Sequence, residues 1–132
     1  MQRILIVEDD IEIQDMLRNY LTDAGYEVVI AEDGVTGIAK FDDTINLVLL
    51  DIMLPKIDGY GVCEVIRQRS QVPIIMLTAL SDEENQIKGF EQQIDDYIPK
   101  PFSPKILLYK IAAIFRRGSS DTQKQTSIFY TD

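Results

Sequence analysis

Apolar positions along this 132-residue chain change their spacing in a regular rhythm. "RILIV" (Arg3 to Val7) is a short, nearly unbroken apolar run, as expected of a strand buried on both faces. It gives way to Ile13, Met16, Leu17, Tyr20 and Leu21 at helical spacing, with Asp10 placed as a helix cap and Gly25 as a helix stop. "EVVIA" (Glu27 to Ala31) predicts a second strand, and Val35, Ile38 and Ala39 a short helix after Asp33-Gly34. "LVLL" (Leu47 to Leu50) predicts a third strand, followed by a helix after Gly59 carrying Val62, Val65 and Ile66. Pro73 opens a fourth strand, "IIML" (Ile74 to Leu77), and a polar helix is expected over 82–91. "YIPK" (Tyr97 to Lys100) predicts a fifth strand, and Ser103-Pro104 starts a last helix with Ile106, Leu107, Ile111 and Ile114.

Five strands alternating with five helices predict βαβ crossovers, hence an α/β fold with a mostly parallel, doubly wound sheet. In such sheets chemistry gathers at the carboxyl ends of the strands, beside the switch point in strand order. Beyond Arg117 the rhythm lapses. "GSSDTQKQT" reads as a polar linker, and "TSIFYTD" turns β-branched and aromatic. We expect one domain over 1–117, then a linker and the start of a truncated C-terminal domain over 118–132.

Composition narrows the function classes. No apolar run approaches the roughly 20 residues of a membrane span. "MQRILIVEDD" puts acids directly after its apolar run, unlike a signal peptide, so a cytoplasmic protein is expected. The single cysteine, Cys63, cannot form an internal disulfide and reads as a packing residue beside Val62 and Ile66. With no histidine, the chain has no Ser-His or Cys-His catalysis and no histidine-ligated zinc. A formal charge of −9 repels phosphate backbones, so DNA binding is not expected of these residues themselves.

Position gives the excess acid its meaning. Strand one ends in Glu8-Asp9-Asp10, strand three in Asp51, strand four in Thr78 and strand five in Lys100. In a doubly wound sheet these ends share one edge, so Glu8, Asp9, Asp51, Thr78 and Lys100 are expected to converge. Singly, each has a dull explanation, as a helix cap or a solvated surface group. Together, clustered carboxylates raise one another's pKa unless a cation offsets them, and Mg²⁺ is the hard cation that carboxylates hold beside phosphate. An ionised Asp beside a metal is a nucleophile towards phosphorus, which would explain why a core strand delivers Asp51 to solvent.

"ILIVEDD", "LVLLDIMLPKIDGYGV", "PIIMLTAL" and "DDYIPKPFSPKIL", in this order over residues 2 to 117, resemble the receiver domain of bacterial two-component response regulators. The resemblance implies a flavodoxin-like sheet of order 2-1-3-4-5 with five flanking helices. It implies that Asp51 is the phosphoacceptor, that Glu8, Asp9, Asp51 and the Met53 carbonyl serve Mg²⁺, and that Lys100 assists, followed by a cis bond to Pro101. Thr78 and Tyr97 become the switch pair, and the phosphoryl donor a histidine kinase. Such a domain is a signalling switch with weak self-phosphorylation and self-dephosphorylation rather than a metabolic enzyme.

The Tyr-x-x-Lys-Pro-Phe pattern and Arg116-Arg117 resemble the subfamily with a C-terminal winged-helix DNA-binding domain. There, phosphorylated domains dimerise through the fourth helix, fifth strand and fifth helix. The corresponding residues here are Asp95, Asp96, Ile106, Lys110 and Arg117. Two departures stand out: Gln93-Ile94 replaces a usual Gly-Ala, and Ile106 replaces an acid. Alternatives are a stand-alone receiver, or a pseudo-receiver working through protein contacts without phosphorylation. A magnesium phosphohydrolase would carry an acid where Met53 stands, and a nucleotide-binding protein a glycine-rich loop where "VEDDIEI" has none.

Overall fold

The computed structural model describes residues 1–79 and 93–119. Five parallel strands form one sheet in the order β2-β1-β3-β4-β5: β1 (Arg3–Val7), β2 (Glu27–Ala31), β3 (Leu47–Asp51), β4 (Ile74–Thr78) and β5 (Asp96–Pro99). Four described helices accompany them: α1 (Ile11–Asp23), α2 (Gly34–Lys40), α3 (Gly59–Arg67) and α4 (Pro104–Ser119). The polar helix expected over 82–91 lies outside the described residues. The chain divides into two compact units, one from Met1 to Phe102 and one beginning at Ser103, which carries α4.

The strands form where both faces of a parallel sheet need apolar side chains. Leu5, Val7, Ala31, Val48, Leu50, Ile74 and Met76 join Ile38 of α2 and Val62, Cys63 and Ile66 of α3 in one cluster. Alternate positions Ile4, Ile6, Leu47, Leu49, Ile75 and Leu77 are fully buried on the opposite face. Right-handed crossovers place α1 there, because the chain turns one way from β1 to β2 and the other way from β2 onward. Cys63 is a free thiol in the first cluster, and burial raises its pKa, in keeping with a packing role.

Local chemistry sets the helix ends. The Asp10 carboxylate accepts from the N–H of Glu12 and Ile13 at 2.9 and 3.3 Å, Asp33 from Thr36 at 2.7 Å, and Asp58 from Gly61 at 2.9 Å. Gly25 follows α1 at φ 97°, a left-handed conformation that suits glycine.

Four elements differ in their bounds from the sequence-based expectation. β3 and β4 each extend one residue further, to Asp51 and Thr78, and α4 runs to Ser119. β5 is Asp96–Pro99 rather than Tyr97 to Lys100, because its ladder starts where Asp96 pairs with Ile75. Lys100 still donates its backbone N–H to the Thr78 carbonyl at 2.8 Å.

Candidate functional site

The register brings the strand ends into rows. Val7 pairs with Leu50, so Glu8 leaves β1 level with Asp51, and Asp51 in turn pairs with Leu77. Thr78 pairs with Pro99, which puts Lys100 just beyond the same edge. Glu8, Asp9 and Asp51 accordingly bring a carboxylate oxygen each within 4.8 Å of one another. Lys100 Nζ bridges two of them, at 2.9 Å from Glu8 Oε1 and 3.0 Å from Asp51 Oδ2.

Neighbouring acids have different surroundings because strand residues alternate sides. Glu8 is fully buried and Asp9 exposed. The second Glu8 oxygen accepts the Asp10 N–H at 3.1 Å, and Gln14 Nε2 donates to the Glu8 carbonyl at 2.6 Å. Burial nevertheless dominates, and it pushes the Glu8 carboxyl up to about 7 despite the bond from Lys100. For Lys100 the balance runs the other way. Its burial favours the neutral amine, but the bonds to Glu8 and Asp51 outweigh that and raise the ammonium pKa. Asp51 is 5% exposed, and its Oδ1 accepts the Met53 N–H at 3.2 Å.

Period two sets the rest of the edge. Thr78 shares a sheet face with Ile74 and Met76, and Met76 pairs with Tyr97, so Thr78 and Tyr97 lie on the same side. Thr78 is 1% exposed, and Tyr97 is half-buried against the cluster beneath α2 and α3. The Lys100-Pro101 peptide bond is cis.

The family model of the response regulator receiver domain matches residues 4–112. The chain belongs to this family. A probable transcriptional regulator, ycf27, from Cyanophora paradoxa is 48% identical over 127 residues, covering 96% of this chain and 53% of that protein. The CheY-like receiver domain protein from Methanospirillum hungatei JF-1 superposes with a TM-score of 0.86 at 36% identity, over 92% of this chain and 98% of that one. DrrB of Thermotoga maritima, an OmpR/PhoB homolog, gives 0.82 at 36% identity over 89% of this chain and 54% of that one. This receiver chain spans about half the length of the curated relatives it matches.

The receiver fold gathers Glu8, Asp9, Asp51 and Lys100, and it sets Thr78 and Tyr97 on one face beside them. Residues expected on a dimer face are differently occupied. Asp95 accepts the Ile74 N–H at 2.8 Å and faces Arg67 Nη2 at 3.6 Å, so it is engaged within its own unit. Asp96 Oδ1 accepts the Tyr97 N–H at 2.8 Å. On α4, Ile106 is 54% exposed and Arg117 is exposed too, with Lys110 partly buried between them.

Gln93, which replaces a usual glycine, stands at φ 61°. A side chain there costs roughly 1 kcal/mol. Arg67 holds its carbonyl through Nε at 3.2 Å and Nη2 at 2.7 Å.

Sequence reasoning passed over Arg67 and also Tyr60, whose hydroxyl lies 3.1 Å from that of Tyr97. A tyrosine directly after the Asp58-Gly59 cap, on the buried side of an amphipathic helix, was the available signal, since a buried phenol seeks a partner.

Proposed function

We propose that this receiver domain is a phosphorylation-controlled switch in which Asp51 accepts a phosphoryl group from a histidine kinase. The observation that carries this reading is the Lys100 ammonium bridging Glu8 and Asp51 inside a three-carboxylate cluster at the end of a buried strand. An Asp51 oxygen attacks phosphorus in line. The new O–P bond forms as the donor's bond to phosphorus breaks, and the leaving group keeps that electron pair. Lys100, held protonated by its two carboxylate partners, lies where it can neutralise a phosphoryl oxygen.

The carboxylates of Glu8, Asp9 and Asp51 so close together fit a small hard cation; Asp9, Asp51 and the Met53 carbonyl would be its direct ligands, with Glu8 completing the acidic set. Mg²⁺ bound there would supply charge neutralisation for the phosphoryl oxygens. Hydrolysis of the aspartyl phosphate resets the domain, so its catalytic activity is a weak self-phosphorylation and self-dephosphorylation.

The output is a two-state change. Thr78 moves towards the phosphoryl group, Tyr97 follows on the same sheet face, and the surface beyond β5 changes shape. A homodimer with Ile106 as an apolar contact beside Lys110 and Arg117 would present a C-terminal DNA-binding domain, with a linker and the start of that domain over 118–132. Transcription control is the expected role of the whole protein, and its relatives' names support it. A lone buried thiol suits the reducing cytoplasm.

Intact mass after incubation with acetyl phosphate and Mg²⁺ tests the phosphoacceptor. One added phosphoryl mass is expected, absent in Asp51→Ala and in a metal-chelated control. An adduct that persists in Asp51→Ala, or a folded wild type that gains none, overturns the assignment.

A further inference from the structure

The first turn of α3 is tied by its backbone to the strand that carries Asp51. Gly59 N–H donates to the Ile52 carbonyl at 2.7 Å, and a side chain at Gly59 would overlap the Asp51 carbonyl oxygen. Asp58 caps the same turn. Tyr60 comes next, 6% exposed, with its hydroxyl 3.1 Å from that of Tyr97. Tyr97 stands on β5 opposite Met76, and further along the same chain the Lys100 ammonium returns to Asp51 at 3.0 Å. These connections close a ring: the Asp51 backbone, the first turn of α3, the paired hydroxyls, β5, Lys100 and the Asp51 carboxylate.

We propose that Tyr60 is a positioning residue of the switch. Its hydroxyl holds Tyr97 in place while Asp51 is unphosphorylated, and it couples Asp51 to β5 by a route separate from Thr78. The inference rests on the function proposed above.

Its physical basis is the reach of each link. A shift of the Asp51 backbone on phosphorylation presses on Gly59, where no side chain intervenes to absorb it, and so reorients Tyr60. The paired phenols then part, and the half-buried Tyr97 ring is released. A net hydrogen bond of ordinary strength biases such an equilibrium about five-fold. By linkage, a ligand that favours the released state binds tighter by the same factor once the bond is removed.

The test titrates beryllium fluoride, a phosphoryl mimic, with Mg²⁺ into the full chain. Backbone amides report the midpoint, and a fluorotyrosine signal, assigned by its loss in Tyr97→Phe, reports the ring. Tyr60→Phe keeps the ring and loses only the hydroxyl. It should lower the midpoint about five-fold and move the resting Tyr97 signal towards the bound position. Tyr97→Phe should shift the midpoint in the same direction, and the double variant should fall short of the sum of the two, because they share one bond. Combined with Thr78→Ala, part of the Tyr60→Phe shift should survive. A midpoint unchanged or raised by Tyr60→Phe, or a shift lost in the Thr78→Ala background, overturns the proposal. A wild type that does not respond to the mimic at all takes the phosphoacceptor reading down with it.

Discussion

At the amino edge of the sheet, Arg3, Glu27, Asp42, Thr44 and Asn46 form a surface network. Arg3 Nε lies 3.2 Å from Glu27, Arg3 Nη1 donates to Thr44 at 2.7 Å, and the Thr44 N–H donates to Asp42 at 2.9 Å. At the carboxyl edge, Glu8, Asp9, Asp51 and Lys100 use the same kinds of groups. The difference is water. Asp42 is exposed, and the bonds from the Thr44 hydroxyl and N–H lower its pKa, whereas burial drives Glu8 up to about 7. One edge lets charges relax into solvent and gains a little stability. The other holds a buried carboxylate against its own preference for a proton, which makes sense where binding a cation and a phosphoryl group is the return.

Removing the compensating cation should separate the edges most sharply. Lys100→Met keeps the aliphatic stem and leaves Glu8 and Asp51 facing each other. In the metal-free domain near pH 8 we expect a loss of about 3 kcal/mol, at the low end for unpairing a buried charge because Lys100 is 20% exposed. The loss should shrink near pH 5, where Glu8 is protonated, and Mg²⁺ should restore more thermal stability to the variant than to the wild type. Denaturant melts at both pH values, with and without Mg²⁺, check this. A loss independent of pH and Mg²⁺ would make Lys100 a packing residue instead.

Glu8→Gln should act in the opposite direction. The native state of the metal-free wild type binds a proton at Glu8 more tightly than the unfolded state does, because the pKa is about 7 against an ordinary 4.5. The contribution of Glu8 to stability is therefore largest below about pH 4.5 and falls as pH rises towards 7. The glutamine variant lacks that slope. Near pH 8 it should be more stable than the metal-free wild type by on the order of 2 kcal/mol, and near pH 4 equal to it. Its stabilisation by Mg²⁺ should also be weaker. Parallel stability-pH curves for the two proteins would place the burial cost elsewhere.

How much of this edge the sequence discloses depends on the kind of interaction. Strands β1 and β3 are legible because "RILIV" and "LVLL" must be apolar on both faces, and Asp51 is conspicuous where the second run stops. Glu8, Asp51 and Lys100 were reachable by asking what each strand end delivers. Which of the adjacent Glu8 and Asp9 turns inward was not, since that depends on a register only the assembled sheet fixes. Tyr60 stayed hidden because its partner lies 37 residues away, and on an amphipathic helix a tyrosine looks like any other core residue. Asp95 was expected on a dimer face, and its partners within the fold stayed hidden for the same reason. Nothing local announces the Ile74 N–H and Arg67 that meet it.

The smallest effect is expected where the amino edge meets water. Asp42→Asn keeps an oxygen that can accept from Thr44 and removes only the charge. Because the folded-state pKa of Asp42 lies below the ordinary 3.8, its contribution is present above that value and disappears as pH falls through the folded pKa. The thermal midpoint should drop by about 2 °C at neutral pH, as expected for exposed hydrogen bonds to a charged group, and match the wild type in strong acid. Added salt should remove only the smaller part of the difference, since it screens the attraction of Arg3 but not the hydrogen bonds from Thr44 at contact distance. Mg²⁺ should leave it untouched. Thermal melts across pH, salt and Mg²⁺ read all three responses, and a Mg²⁺-dependent loss would mean the two edges are coupled through the sheet. If the edges are independent, Asp42→Asn and Glu8→Gln should add, because charges at opposite ends of the strands share no partner. Only the carboxyl edge should then respond to the ion.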